Sequence, residues 1–309
     1  MQQTKNKQLL QTTDTVFMVR PVAFGYNPQA AESNAFMQDD KDGSSKKVAT
    51  KAQEEFDAMV EMLRNVGVTV NVFEDIPEPH TPDSIFPNNW VSFHGNGRVL
   101  LYPMETENRR PERRMDIVEA LVDGEAQIVD LSPFEKEGLY LEGTGSMILD
   151  RINQIAYACV SPRTDPHLFA RFCMELQVEG HLFHAVGSEG TPVYHTNVMM
   201  ALGHSVAIVC LDSVSDPIEQ FELTQRLVDT DYEVVEISLE QMNAFAGNML
   251  EVRNTEGKAF MVMSKRAYDS LEAEQIEAIK RHAEPLVVPL DVIETYGGGS
   301  VRCMIAEVY

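Results

Sequence analysis

Apolar and polar positions change their period several times along this chain, and each change marks an element. Val48, Ala52, Phe56, Met59, Leu63 and Val66 recur every three or four residues, which places them on one stripe and predicts a helix over 48–66. A β-rich run over 68–73 follows it, and a strand over 15–22 precedes it. Runs over 90–93 and 98–102 flank Gly95-Asn96-Gly97, the turn chemistry of a hairpin. Pro111 reads as the first position of a second helix reaching about Val122, and 127–131 as the next strand.

That order of two strands, a helix and a strand recurs. Strands over 146–149 and 154–160 lead to a helix over 165–178, capped by Asp165 with Pro166 at its first position, and then to a strand over 181–186. A third unit has a hairpin around 201–204, a helix over 216–228 and a strand over 233–237. A fourth has a hairpin across 254–257, a helix capped by Ser264 and running to about His282, and a strand over 285–290. The chain ends in one strand, 301–308, which completes a fifth unit when joined to the elements near the N terminus.

The fold class is therefore α/β: five ββαβ repeats closed into a propeller, the last repeat built from both termini, so that no sheet edge stays open. This makes 1–309 a single catalytic domain; two ordinary α/β domains are the competing reading. Residues 23–47 fit no element and are rich in Asn, Gln, Ser and Gly, as expected of a surface loop and a candidate lid.

Forty-eight acidic against 25 basic side chains leave a net charge of -23, which repels phosphate backbones and anionic lipid heads. Nucleic acid and membranes are excluded as expected partners. The first residues lack the apolar core of a signal peptide, and no run reaches the ~18 apolar residues of a membrane helix. Cysteines stand at 159, 173, 210 and 303 with no C-x-x-C pair, so free thiols and a cytoplasmic location are expected.

The position just ahead of, or opening, each first hairpin strand holds Asn89, Glu142, His195, Asn248 and Cys303, spaced 53, 53, 53 and 55 residues apart. In a ring these side chains face one axis. A thiol, an imidazole and a carboxylate meeting there form a nucleophilic constellation. Taken singly, each has an ordinary reading as a buried apolar thiol, a hydrogen-bonded histidine or a solvated charge. Their shared phase is what separates them from Cys159, Cys173 and Cys210. Gly143, Gly145 and Gly297-Gly298-Gly299 flank the set and permit close approach of backbone. No metal is expected, since His80/Asp83 and His181/His184, three apart on a strand, point to opposite faces.

Four motifs, Pro82-Asp83-Ser84-Ile85-Phe86-Pro87-Asn88-Asn89, Leu141-Glu142-Gly143, His195-Thr196-Asn197 and Gly298-Gly299-Ser300-Val301-Arg302-Cys303-Met304, resemble those of the guanidino-group-modifying superfamily. That group holds arginine deiminase, dimethylargininase and the amidinotransferases, and the chain looks most like its citrulline utilization hydrolase branch. The resemblance spans essentially the whole chain and implies the five-bladed α/β propeller called the pentein fold. It further implies Cys303 as nucleophile, His195 as general acid and base, and Glu142 as the group holding the imidazole. Asp83 and Phe86 match positions that line the substrate pocket, and Asn88 and Asn248 fall in the same substrate-binding set. Arg163 resembles the arginine that takes the substrate carboxylate, a task its two-pronged fork suits. A second arginine is expected from Arg109, Arg110, Arg113 or Arg114, with Arg109 carried forward.

The departure from that pattern is informative. Arginine-cleaving relatives carry carboxylates near positions 89 and 197, where this chain has Asn89 and Asn197. An amide is neutral and offers both a donor and an acceptor, which suits a ureido group. The expectation is a cysteine-dependent hydrolase of a small amino-acid substrate, citrulline before arginine, using no cofactor. An amidinotransferase or deiminase on a guanidino substrate, and a non-catalytic binding propeller, are the alternatives. A homo-oligomer stays open.

Overall fold

A computed structural model describes residues 10–39, 45–122, 124, 126–188 and 190–309. Five three-stranded sheets share one plan: an antiparallel hairpin, an outer helix, and a third strand parallel to the second. In the first blade Val91–His94 pairs with Arg98–Leu101, which pairs in parallel with Gln127–Asp130 after the helix Met115–Leu121. The second has strands Met147–Asp150, Ile155–Cys159 and Glu179–Phe183 around the helix Pro166–Leu176. The third has Met200–Leu202, Val206–Val209 and Glu233–Glu236 around Pro217–Asp229. The fourth has Leu250–Arg253, Ala259–Ser264 and Glu284–Val288.

The fifth blade closes the ring as expected. Ala306–Glu307 pairs antiparallel with Thr15–Arg20, setting Phe17 opposite Ala306, and Thr15–Arg20 pairs in parallel with Thr69–Glu74. Middle strands such as Ile155–Cys159 and Val206–Val209 are buried at every residue, which is why their sequences read as unbroken apolar runs rather than alternations. Inner strands of neighbouring blades touch along the axis, among them Met147–Asp150 with Met200–Leu202 and Val91–His94 with Ala306–Glu307. The chain thus forms a five-bladed α/β propeller of the pentein type. Among the described residues no helix is long and apolar enough to cross a membrane.

The helices form for legible reasons. Ser45–Asn65 buries Val48, Ala52, Phe56, Met59 and Leu63 of the predicted stripe, together with Val60, while Val66, the stripe's sixth member, lies just past the helix end and is half-buried. Asp165 accepts hydrogen bonds from the backbone N–H groups of His167 and Leu168, and Asp216 caps Pro217–Asp229 in the same way.

Three expectations need correction. Pro111 does not open a helix: it lies inside a 3₁₀ turn, Glu107–Glu112, and the α-helix starts only at Met115. A 3₁₀ turn brings residues i and i+3 into line, which lets Arg109 pair with Glu112. The helix after Ser264 stops at Ser270, because Glu272 and Gln275 form a reciprocal cap that starts a second helix, Ala273–Lys280. The C-terminal segment is not one strand, since Val301–Met304 is a helical turn and only Ala306–Glu307 pairs.

That last correction belongs to a pattern. Short helical turns, Pro87–Asn89, Gly143–Ser146, Thr196–Met199 and Val301–Met304, precede four of the five inner strands. They crowd one end of the axis and carry or abut the five residues in shared phase.

Candidate active site

Glu142 and His195 are the residues that open two of these turns, and both are buried. His195 Nε2 donates to Glu142 Oε2 at 2.8 Å, while Glu142 Oε1 accepts the Glu105 backbone N–H at 2.9 Å. Burial works against charge on Glu142, but the Arg163 guanidinium 3.4 Å away and the bond from His195 prevail and hold its carboxyl well below the usual range. Burial also pushes His195 down to about 4, against the pull of Glu142. The resting ring is therefore neutral, with its proton on the nitrogen facing the carboxylate and Nδ1 free to take another. Gly145 makes room for it: a Cβ there would sit 2.8 Å from His195 Nδ1 and 2.4 Å from Asn89 Nδ2.

Cys303 lies within the turn Val301–Met304 and is 3% exposed. Its sulfur accepts hydrogen bonds from the amide groups of Asn248 and Asn197, at 3.4 and 3.5 Å. Two amide N–H donors thus converge on one sulfur. Cys303 and His195 line the same narrow cavity, together with Asp83, Phe86 and Asn89. The Phe86 ring lies flush against the glycine run, where a Cβ at Gly297 would meet it at 2.7 Å and one at Gly299 at 3.0 Å.

Asp83 accepts from Asn27 Nδ2 at 2.7 Å through Oδ2, and its Oδ1 is buried without a partner. Burial raises its proton affinity, with Arg109 at 3.8 Å opposing. Asn88 and Asn197 each keep one buried atom unpaired as well, Nδ2 and Oδ1 respectively. Arg109 is the only one of the four candidate arginines on the cavity wall. Arg110 and Arg113 reach Glu135 instead, and Arg114 pairs with Asp116.

Arg163 also lines the cavity, yet most of its fork is already engaged. Nη2 donates to the Ala30 carbonyl at 2.8 Å and to Ser33 Oγ at 2.7 Å, and Nε reaches Ser33 Oγ at 2.9 Å. Those partners belong to the segment expected as a lid. Asn34 Nδ2 donates to the Gly298 carbonyl, and Met37 packs so close that a Cβ on Gly298 would meet it at 2.6 Å. Residues 40–44 of that segment lie outside the described residues.

Arg302 does not assist the sulfur. Its guanidinium donates to Glu307 at 2.8 Å and to the Ile305 carbonyl at 3.0 Å, toward the other end of the axis. Sequence reasoning missed Asn27, Ser33, Tyr194 and Glu112. Tyr194 donates to the Gly298 carbonyl at 2.7 Å and lies against the His195 ring, centroids 4.7 Å apart. Its place one residue before His195 was a usable signal, as was the i,i+3 spacing of Arg109 and Glu112. Nothing in a polar loop distinguished Asn27 or Ser33. Among the described residues no group of three or more His, Cys, Asp or Glu side chains is arranged to hold a metal ion.

Residues 20–309 match the family described as N,N dimethylarginine dimethylhydrolase, eukaryotic. No curated protein sequence matches significantly. Among solved structures, the chain is similar to the N-terminal domain of ArgZ, a cyanobacterial arginine dihydrolase, in a cysteine-to-serine mutant bound to substrate. The identity is 15% and the TM-score 0.74, over 95% of this chain and 97% of that one. AgrE with ornithine and NAD+ gives 17% and 0.74, over 96% of this chain but only 39% of AgrE. A histidine-to-glycine form of dimethylarginine dimethylaminohydrolase, as its adduct with S-methyl-L-thiocitrulline, gives 15% and 0.64, over 96% and 99%. At these identities the structural likeness speaks for the fold.

Proposed function

This chain belongs to the N,N dimethylarginine dimethylhydrolase family, and from that premise we propose a cysteine-dependent hydrolase that cleaves a C–N bond of a ureido amino acid, citrulline first. The observation that carries the reading is the sulfur of Cys303, held by two amide donors in the cavity that a neutral, Glu142-anchored His195 also lines.

In this mechanism His195 Nδ1 takes the thiol proton and Cys303 Sγ attacks the central carbon of the bound group. Collapse breaks the bond to the side-chain nitrogen, which leaves with the proton from His195, and the carbon stays on sulfur. The neutral ring then takes a proton from water as water attacks that carbon; the S–C bond breaks, the leaving thiolate regains that proton from His195, and the carbamic acid released from citrulline breaks down to carbon dioxide and ammonia. Glu142 fixes the ring and stabilises its charged form throughout. With citrulline the products are ornithine, carbon dioxide and ammonia. Arg163 takes the substrate carboxylate once Ser33 and Ala30 yield their places on its fork.

The preference for a neutral group is supported by Asn89 and Asn197, amides where a guanidinium would call for carboxylates. One observation favours arginine as a second reading: Asp83 offers an unpaired carboxylate oxygen at the cavity. The neighbours named for an arginine dihydrolase are compatible with either, since both substrates pass through an adduct on the same sulfur. Assays of ornithine, citrulline, ammonia and dimethylamine release from citrulline, arginine and dimethylarginine separate the readings. Citrulline is expected to give the highest kcat/KM. A higher value for arginine overturns the ureido preference, and no turnover of any substrate overturns the enzymatic reading.

A further inference from the structure

Ser300 stands at the cap position of Val301–Met304, the turn that carries Cys303, and its carbonyl accepts the Cys303 N–H at 3.0 Å. A serine in that place ordinarily turns its hydroxyl toward the first N–H groups of the turn. This one makes no such bond: its hydroxyl points the other way and donates to Glu294 Oε1 at 2.6 Å. Both residues are buried, Ser300 at 0% and Glu294 at 1% exposure. Glu294 belongs to the helix Asp291–Gly297, which leads into the glycine run. The reaction described above makes no use of its carboxyl.

The helix that bears Glu294 is itself fixed at both ends. At its start Glu55, from Ser45–Asn65, accepts the N–H groups of Val292 and Ile293 at 2.9 and 3.0 Å. At its end the Glu294 carbonyl accepts the Gly298 N–H at 3.1 Å. The Ser264 hydroxyl, which accepts the Ala267 N–H at 3.0 Å, faces the Glu294 carboxyl from the end of the strand Ala259–Ser264. Burial raises the proton affinity of that carboxyl, while the two serine hydroxyls and Arg266 work against it. With or without its proton, a carboxyl keeps an oxygen that can accept the Ser300 hydrogen.

We propose that Glu294 is a positioning residue for the nucleophile: by holding the Ser300 hydroxyl away from the turn, it sets where Val301–Met304, and with it the Cys303 sulfur, sits in the cavity. Glu294 touches no reacting atom and acts only through Ser300. Left free, that hydroxyl would swing onto the N–H groups of its own turn and change the turn's shape. The sulfur must meet the amides of Asn248 and Asn197 as well as the ring of His195, and a shift of about 1 Å in such a site costs on the order of 10²-fold in rate. This role deepens the reading of Cys303 as nucleophile given above and rests on it.

Glu294→Leu removes the acceptor and Ser300→Ala removes the donor. Each is expected to lower kcat per folded molecule at least ~10-fold, with the KM for citrulline changed less than about twofold. The double variant should be no slower than either single one, because both break the same link. Glu294→Gln keeps an acceptor oxygen in the same shape and should restore kcat to within about threefold of wild type. It also keeps the test alive if Glu294→Leu fails to fold, with Ser300→Ala supplying the broken link. Full kcat in Ser300→Ala, losses that multiply in the double variant, a loss carried by KM, or a Glu294→Gln variant as slow as Ser300→Ala overturns the proposal. The rate of Cys303 alkylation by iodoacetamide, followed by mass spectrometry, should fall in the same variants and needs no turnover. Absence of wild-type turnover would sink the hydrolase reading, whereas the alkylation rates judge Glu294 by themselves.

Discussion

The two ends of the inner strands both bury charge, and they treat it differently. At the far end Arg302 donates to Glu307 at 2.8 Å, Arg151 stacks over Tyr309 at 4.0 Å and approaches Glu307 at 3.8 Å, and the Tyr309 hydroxyl donates to Glu307 Oε1 at 2.7 Å. Glu307 is held below its usual range by Arg302 and Arg151, which overcome the cost of burial. At the reactive end Asp83 Oδ1, Asn88 Nδ2 and Asn197 Oδ1 are buried with nothing to bond. A closed network of ions specifies a fold, whereas orphaned polar atoms weaken it and persist where a ligand completes them. The far end therefore reads as a fastening between the termini and the second blade, and the near end as a site kept incomplete.

A crossed pair of variants tests that division most severely. Cys303→Ala should lower kcat by about 10³-fold or more while leaving the denaturant midpoint close to wild type. Arg302→Met, one residue away, should do the reverse. It leaves Glu307 short of a partner, at a cost of roughly 3–5 kcal/mol of unfolding free energy, with kcat per folded molecule nearly unchanged. If Arg302→Met abolishes turnover in fully folded protein, or Cys303→Ala retains it, the two ends do not divide the labour in this way.

How far this contrast was legible in the sequence depends on which property of a residue matters. The repeat and the common phase of Asn89, Glu142, His195, Asn248 and Cys303 could be read because blade spacing is a one-dimensional quantity. The helix stripe from Val48 to Leu63 was legible for the same reason, since period 3.6 is local. The 3₁₀ turn around Pro111 was not: its shape answers to the Arg109–Glu112 pair and to Asn89, 20 residues away along the chain. The C-terminal turn was missed because four apolar or β-branched residues around Arg302 and Cys303 look like strand, while contact of Arg302 N–H with Asn248 Oδ1 and crowding at the axis hold them helical. Partners such as Ser33 on Arg163 were invisible, because a loop serine carries no pattern.

Acid should expose the incomplete end first. In the folded protein His195 takes a proton only near pH 4, with burial outweighing Glu142, while an unfolded histidine takes one near 6.5. The unfolded chain binds that proton first. Its contribution to stability is thus complete above about pH 6.5 and is lost as pH falls toward 4, by an amount on the order of 2–3 kcal/mol. Urea unfolding between pH 7 and 4 should show that slope in the wild type and a shallower one in His195→Gln, whose amide does not titrate. Equal slopes would place the acid sensitivity elsewhere.

The smallest effect is the most discriminating, because its sign separates the two ends. Asp83 carries a carboxylate whose proton affinity burial has raised, with Arg109 only partly compensating and one oxygen unpaired. Asp83→Asn removes the charge, keeps the shape and can still accept from Asn27. Unfolding free energy should hold steady or rise by about 1 kcal/mol, in contrast to the loss expected for Arg302→Met. Activity should fall about 10- to 100-fold, most steeply for the more cationic substrate. A substitution that stabilises the chain while impairing it is what a residue kept for its ligand should give, and a clear loss of stability would instead put Asp83 among the fastenings.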